Sequence, residues 1–506
     1  MKPKYVLLFF LCLVCSCSNT FTYAAGGNRA VIVRNNKEFV TAVQRPNTVI
    51  KVRGTVDLKG KSLSIPQSCT ILLSKGKIIN GYIFGNDTKL EVNQPSSIGV
   101  IFKGTWMCPT IDDSFFIAEY LSDDDVISNI NYLQNKKLFN TIHLNKDKYL
   151  VSIKESGGYS LCLLDSVKLV NNSQIALKAN NYKGYSIISI ANCTNVEVTG
   201  GQIRGDVGKH TYLQGTTSEW GMGINISAAE NVLIHDMYIS HCTGDGIYIT
   251  GLPTSYIGDY SKASRNIVLR NVTCDLNRRQ GLSIISVDGL LVDSCAFINT
   301  GKIEKASPAA GIDIEPNVDK GRNNSVRNIH IKNCYFEGNA GRPFDVDLGV
   351  TDGIIHNFAN ITVTNCTADG PFFFGAQNVT VKNSKFESII VRPFEAPVHC
   401  KFENCELYRG GIIIKKALSH DVLYKDSRNS NSMVNLTIKK CRINYQPSSI
   451  NKSDKLVYFD YTPSNDVTIN FNSCDIVVPN SSAMKVKNSK KIHVSFDKCE
   501  VKEKRQ

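Results

Sequence analysis

The chain has 506 residues, 42% of them hydrophobic and 20% charged, with a formal net charge of +13. These proportions exclude a disordered or collagen-like chain, and no apolar run is long enough to cross a bilayer as a helix. The positive balance suits an anionic partner, whether polysaccharide, nucleic acid or membrane; the site residues further along the chain point to an acidic polysaccharide met by a monomer, with no nucleic acid.

In chain order, Met1-Lys-Pro-Lys4 is followed by an apolar run from Tyr5 to Val14 and then by Cys15-Ser-Cys17. A basic start and a short apolar stretch predict an export leader. Val14-Cys15-Ser16-Cys17 resembles a bacterial lipobox, which implies a leader over residues 1–17 with Cys17 acylated. Cleavage near Thr22-Tyr-Ala24 is the alternative. The expected location is the periplasm or the outer membrane, with membrane contact only through the lipid anchor. Residues 26–139 read as an N-terminal β-coil and cap region, with a helix over Asn35–Gln44 and strands at Thr48–Val52, Thr70–Ser74, Lys77–Phe84 and Lys89–Val92. Asp123–Leu138 predicts a second helix. Capping is expected because an uncovered first coil exposes unpaired strand edge.

Residues 140–506 carry a repeat. Asn328-Ile-His-Ile-Lys-Asn-Cys334 returns as Asn360-Ile-Thr-Val-Thr-Asn-Cys366, and as Asn378-Val-Thr-Val-Lys-Asn-Ser384 with Ser in the Cys place. Cys295, Cys405, Cys441, Cys474 and Cys499 also follow short alternating strands. One small interior position returning every few tens of residues predicts coils stacked on coils, an all-β solenoid. Fourteen of the 17 cysteines lie beyond the leader, one per coil rather than clustered. Buried thiols acting as small hydrophobes fit this spacing, with disulfides the alternative.

Gly200-Gly-Gln-Ile-Arg-Gly-Asp206, Glu219-Trp-Gly-Met-Gly-Ile224 and Gly244-Asp-Gly-Ile-Tyr-Ile249, with the Asn-Val-x-Ile-x-Asn strands, resemble the pectate-lyase-like superfamily. The resemblance covers roughly residues 140–500. It implies a right-handed, single-stranded parallel β-helix, a fold that hosts lyases, hydrolases, epimerases and phage tailspikes.

A second strand family carries the polar residues: Gly223-Ile-Asn-Ile-Ser227, Gly246-Ile-Tyr-Ile-Thr250, Gly281-Leu-Ser-Ile-Ile285, Gly311-Ile-Asp-Ile-Glu315 and Pro343-Phe-Asp-Val-Asp347. Apolar second and fourth positions face the core, so the third and fifth face out. Asn225, Tyr248, Ser283, Asp313 and Asp345 are therefore expected in one outward column. Asp313, Glu315, Asp345 and Asp347 form a carboxylate patch that needs a positive companion, either a hard cation such as Ca²⁺ or Arg342, Arg322 or Arg327. Turns before these strands supply His241, Asp245, Arg278 and Arg279. The connection ahead of them supplies His210, Glu219 and Trp220, with Trp220 suited to stacking on a sugar.

Two reactions fit. In β-elimination on a uronic-acid polysaccharide (glycosaminoglycan, pectin or alginate type), Arg278, Arg279 or Ca²⁺ neutralises the uronate. His241 or an Arg takes the proton, and Tyr248 assists the leaving oxygen. Asn225, His210, Glu219, Trp220 and Arg342 bind the chain. This lyase is the leading expectation. The alternatives are a glycoside hydrolase with paired carboxylates, such as Asp313 with Asp345 or with Asp245, and a non-catalytic carbohydrate-binding solenoid.

Overall fold

The computed structural model describes residues 30–504 apart from 216, 253–262, 317–325, 347–359, 376–377, 393–397, 416–432, 448–453, 461, 464 and 487–488. The leader with Cys17, and Asp347 and Arg322, lie outside the described residues.

The first six strands, Ala30–Val33 to Ser97–Met107, form a parallel sheet of their own. The first helix is Asn36–Ala42; Asn35 caps it, its Oδ1 accepting from Glu38 N at 3.0 Å, and Phe39 and Ala42 are buried beneath it. Lys77–Asn93 is one continuous strand where two were expected, and Thr55–Ser64 is a strand that the sequence reading omitted. From there two parallel sheets run the length of the molecule. One has 11 described strands and is called the narrow sheet here; the other has 25 and is the broad sheet. Each coil gives one strand to the narrow sheet, as Trp220–Ser227, then a bent pair to the broad sheet, as Glu230–Ser240 with its corner at Asp236 (φ 58°). The chain is a parallel β-helix. The broad sheet starts at Thr110–Asp112, paired with Asn140–Leu144, and one apolar core runs from Val33 to Ala483.

The repeat's chemistry is visible at one corner. The residue before each stacked cysteine takes left-handed backbone: Ser294, Asn333, Asn365, Asn404, Lys440, Ser473 and Lys498, all with φ between 52° and 57°. Asn tolerates this conformation better than most residues, and its amide can bond along the stack. Asn333 Nδ2 donates to Asp293 Oδ1 at 3.0 Å, and Asn365 Nδ2 to Asn333 Oδ1 at 3.2 Å. The corner then turns the next side chain inward, so the thiols fall in line inside. Cys334 and Cys366 donate to the carbonyls of Lys332 and Thr364, and Ser384 continues the line by accepting from Cys366 N at 3.1 Å.

All fourteen described cysteines are unbridged. Side chains in register on neighbouring strands stand about 4.8 Å apart, wider than the roughly 3.8 Å between Cβ atoms that a disulfide prefers. A thiol reagent should therefore titrate most of them only after denaturation, with the half-exposed Cys162 and Cys499 reacting first. Full native reactivity, or a mobility shift on reduction, would contradict a packed thiol line.

The second helix is shorter than expected, Asp123–Leu133, opened by a capping box between Ser122 and Asp125. It serves as a surrogate strand. Asn131 Nδ2 donates to Ser160 O (2.8 Å) and its Oδ1 accepts from Cys162 N (2.9 Å). Gln134, the helix C-cap, repeats the pattern with Cys162 O (2.8 Å) and Leu164 N (3.1 Å). These amides satisfy the exposed edge of Tyr159–Leu163, the first strand of the narrow sheet, where an unpaired ladder would otherwise invite another chain.

Candidate active site

The narrow sheet holds the expected column in register. Asn225 pairs with Tyr248, Tyr248 with Ser283, Ser283 with Asp313, and Asp313 with Asp345. The column continues below through Ser189 and above through Phe373, Ile390, Ile413 and Tyr458. These side chains lie outside the main core; Phe373, Ile390 and Ile413 form a small buried cluster of their own. Of the fifth positions, Ser227 and Thr250 are half-buried as expected of outward residues, whereas Ile285 is buried.

The column is polar and poorly satisfied. Asn225 Oδ1 and Asp345 Oδ1 are buried without a hydrogen-bond partner, as is Arg279 Nε beside them. Such atoms are uncommon in folded proteins and leave this face with bonding capacity for water or a ligand.

At the column's lower end the turn Thr243-Gly-Asp245 begins a strand. A Cβ on Gly244 would lie 2.2 Å from Glu219 O, so only glycine lets the Glu219–Trp220 segment lie so close. The next coil hangs from the same turn, Arg279 N donating to Gly244 O at 3.0 Å. Arg279 therefore sits directly over Asp245, Nη1 to Oδ2 3.2 Å, with Glu315 Oε2 at 3.9 Å from Nη2 and Glu219 Oε2 at 4.0 Å from Nε. Arg279 Nη1 also donates to Gln280 Oε1 at 3.0 Å, and Gln280 Nε2 donates to Asp313. Asp245, Arg279, Gln280 and Asp313 thus form one chain of contacts across two coil steps. Burial pushes the Asp245 carboxyl up to about 6 against the pull of Arg279. Burial, with Asp245 nearby, pushes the Tyr248 phenol up to about 12, so it stays a neutral donor. Trp220 is 44% exposed and meets Tyr248 edge-on at 6.3 Å, an aromatic wall beside the column.

Other expected site residues sit elsewhere. His241 occupies a left-handed corner (φ 59°) facing the broad sheet, with Nδ1 3.1 Å from Arg204 Nη1. Burial and that guanidinium hold its pKa below the usual imidazole range. Arg278 points to the 206–219 connection, donating to Thr217 O at 2.8 Å and lying 4.5 Å from the Tyr212 ring centre. His210 is buried within that connection, its Nδ1 2.9 Å from Asp206 Oδ2, while Asp206 also takes the Tyr185 hydroxyl at 2.9 Å. These three residues support the connection and the corner. Asp245 aligns with Gln280 rather than with Asp313, so the two acids are not column mates.

The carboxylate patch is answered by guanidinium groups. Arg342 pairs with Asp345, and Arg279 approaches Glu315. Among the described residues no three His, Cys, Asp or Glu side chains converge to hold a metal ion. Asp345 meets Arg342 through Oδ2 and Asp313 accepts from Gln280, while Asp347, the fourth acid of the Ca²⁺ expectation, lies outside the described residues.

No family model matches the chain. Two curated proteins of Bacillus subtilis (strain 168) align with part of it. The uncharacterized protein YclG is 31% identical over 221 residues, and the SPbeta prophage-derived uncharacterized protein YorA is 28% identical over 234. The alignments cover 40% and 43% of this chain but only 37% and 38% of those relatives. Among solved structures, the A-module of the Azotobacter vinelandii mannuronan C-5 epimerase AlgE6 matches 72% of this chain and 90% of its own, with 12% identity and a TM-score of 0.40. An endo-xylogalacturonan hydrolase from Aspergillus tubingensis covers 76% of this chain and 90% of its own at 9% identity and TM-score 0.35. An alginate lyase from Paenibacillus sp. covers 87% and 100% at 11% and 0.27. Scores this low carry no argument about the reaction.

Proposed function

We propose that the chain cleaves glycosidic bonds of a polysaccharide laid along the column, by hydrolysis, with Asp245 as the acid. The observation that carries this reading is the fully buried Asp245 carboxyl at the foot of the outward polar column, its pKa pushed by burial up to about 6. A general acid must be protonated at the working pH, and burial achieves that here. Arg279 contacts both Asp245 at 3.2 Å and Glu315 at 3.9 Å, so the acid and the base of this scheme flank one guanidinium. Inversion requires the two carboxyls to stand about 6.5–9.5 Å apart with a water between them, and the scheme assigns that arrangement to this pair. In this scheme the Arg279 side chain swings aside as substrate enters. Asp245 gives its proton to the glycosidic oxygen, the C–O bond breaks, and water attacks the anomeric carbon while Glu315 takes its proton. Trp220 and Tyr248 carry the sugar.

Four acids, Glu219, Asp245, Asp313 and Glu315, surround the one guanidinium of Arg279. An incoming uronate carboxylate would be repelled there, which weighs against elimination at this point of the groove. Elimination remains the second reading because a basic cluster lies further along the same face. An export route with a Cys17 lipid anchor fits a polymer met outside the cytoplasm. The test is incubation with a panel of neutral and acidic polysaccharides. New reducing ends without the ultraviolet band of an unsaturated uronate are expected. Growth of that band means elimination, and retention of polymer with neither signal means a binding protein only.

A further inference from the structure

Above the acids the same groove turns basic. Arg342 lies 3.6 Å and Arg392 4.6 Å from the Phe373 ring centre. Arg392 and Lys415 follow the strands Ile389–Val391 and Ile412–Ile414 and bond to successive coils, Arg392 N to Phe374 O at 3.0 Å and Lys415 N to Val391 O at 2.8 Å. They therefore stack one above the other beside the Phe373–Ile390–Ile413 cluster. Arg392 is buried, whereas Arg342 and Lys415 keep part of their side chains open to solvent. The cations crowd each other: burial, then Arg342, and also Arg392, hold the Lys415 ammonium below its usual pKa despite Asp460. Asp345 answers Arg342 through Oδ2, and its buried Oδ1 has no partner.

We propose that Arg342, Arg392 and Lys415 form a subsite for an acidic sugar, a uronate or a sulfate ester, whose hydroxyl donates to Asp345 Oδ1. This rests on the carbohydrate reading above and narrows it to a chain with acidic units. At about 4.8 Å per coil, Asp345 lies roughly 14 Å and Arg392 roughly 24 Å above the Tyr248 coil, so the acidic unit binds a few sugars above the Tyr248 end of the groove. A desolvated guanidinium and a crowded ammonium hold carboxylate or sulfate oxygens through charge-assisted bonds. The neutral bond to be cut then rests over the acids, where a charged sugar would be repelled.

The test is calorimetric titration of the whole protein with three probes. They are a galacturonate oligosaccharide, the same oligosaccharide with its carboxyls reduced to alcohols, and a chondroitin sulfate oligosaccharide. One acidic probe should bind about tenfold or more tighter than the reduced one, and Lys415→Gln or Arg392→Gln should remove most of that gap while Lys415→Arg keeps it. Binding of the unsulfated galacturonate probe shows that a carboxylate suffices, and binding of chondroitin sulfate alone points to the sulfate ester. Equal binding of acidic and reduced probes, no binding of either acid, or a Lys415→Gln variant as tight as the parent (with unchanged circular dichroism) overturns the subsite. Tight acid binding without cleavage of any polymer leaves the subsite standing and rejects hydrolysis.

Discussion

Replacing Asp245 with Asn is expected to cut turnover by about two to four orders of magnitude, the usual worth of a positioned general acid, while leaving the fold intact. Because the protonated form is the active one, the parent's rate should fall as pH rises through about 6. The same carboxyl also ties stability to pH. Its folded pKa is raised above the unfolded value of about 3.9, so the folded chain keeps a proton that the unfolded chain releases. Stability is then greatest below that value and declines as pH climbs from about 4 to about 6, by on the order of 3 kcal/mol for this buried group. Asp345, also raised by burial, acts in the same direction. Denaturant melts of parent and Asp245→Asn across this range check the sign: the variant's slope should be shallower. A variant that retains turnover removes Asp245 from the chemistry.

The largest loss of stability is expected from Phe372→Ala. Phe372 is fully buried inside the solenoid and touches four rings, with centroid distances of 4.7 Å to Phe344, 4.9 Å to Phe386, 5.6 Å to Phe374 and 5.7 Å to Phe402. Phe344 extends the line through Phe336 to Phe297. Removing the central ring opens a cavity that β-strands on adjacent coils cannot collapse to fill. The cost should be about 3–5 kcal/mol. In a solenoid each coil is held by its neighbours, so the damage should stay near coils 344–402. Chemical denaturation with hydrogen exchange measures both: early exchange in those coils is expected, and a melt within about 1 kcal/mol of the parent would mean the ring is dispensable.

The solenoid was legible because its signals are local. Asn before Cys encodes a left-handed corner followed by an inward thiol, and the alternation in Gly311-Ile-Asp-Ile-Glu315 states which side chains face out. The register of the outward column follows from that alternation, and the structure keeps it from Asn225 to Asp345. Other features had no local signature. Phe372–Phe374, Ile389–Val391 and Ile412–Ile414 are apolar on both faces, so nothing in their composition marks Phe373, Ile390 and Ile413 as outward. Arg392 and Lys415 went unnoticed for the same reason. Gln280 was passed over because its bond to Asp313 joins two coils, and the strand-like bonding of Asn131 and Gln134 joins a helix to a strand edge. His241 is a base candidate by its place in a turn beside Asp245, Arg278 and Arg279; the left-handed corner sets its Nδ1 3.1 Å from Arg204 Nη1.

Hydrogen exchange with and without a bound oligosaccharide tests most directly whether the outward face of the narrow sheet is where substrate lies. Protection is predicted in Trp220–Ser227, Asp245–Thr250, Gln280–Ile284 and Ala310–Ile314. Protection confined to the broad sheet, with these four strands unchanged, would contradict it.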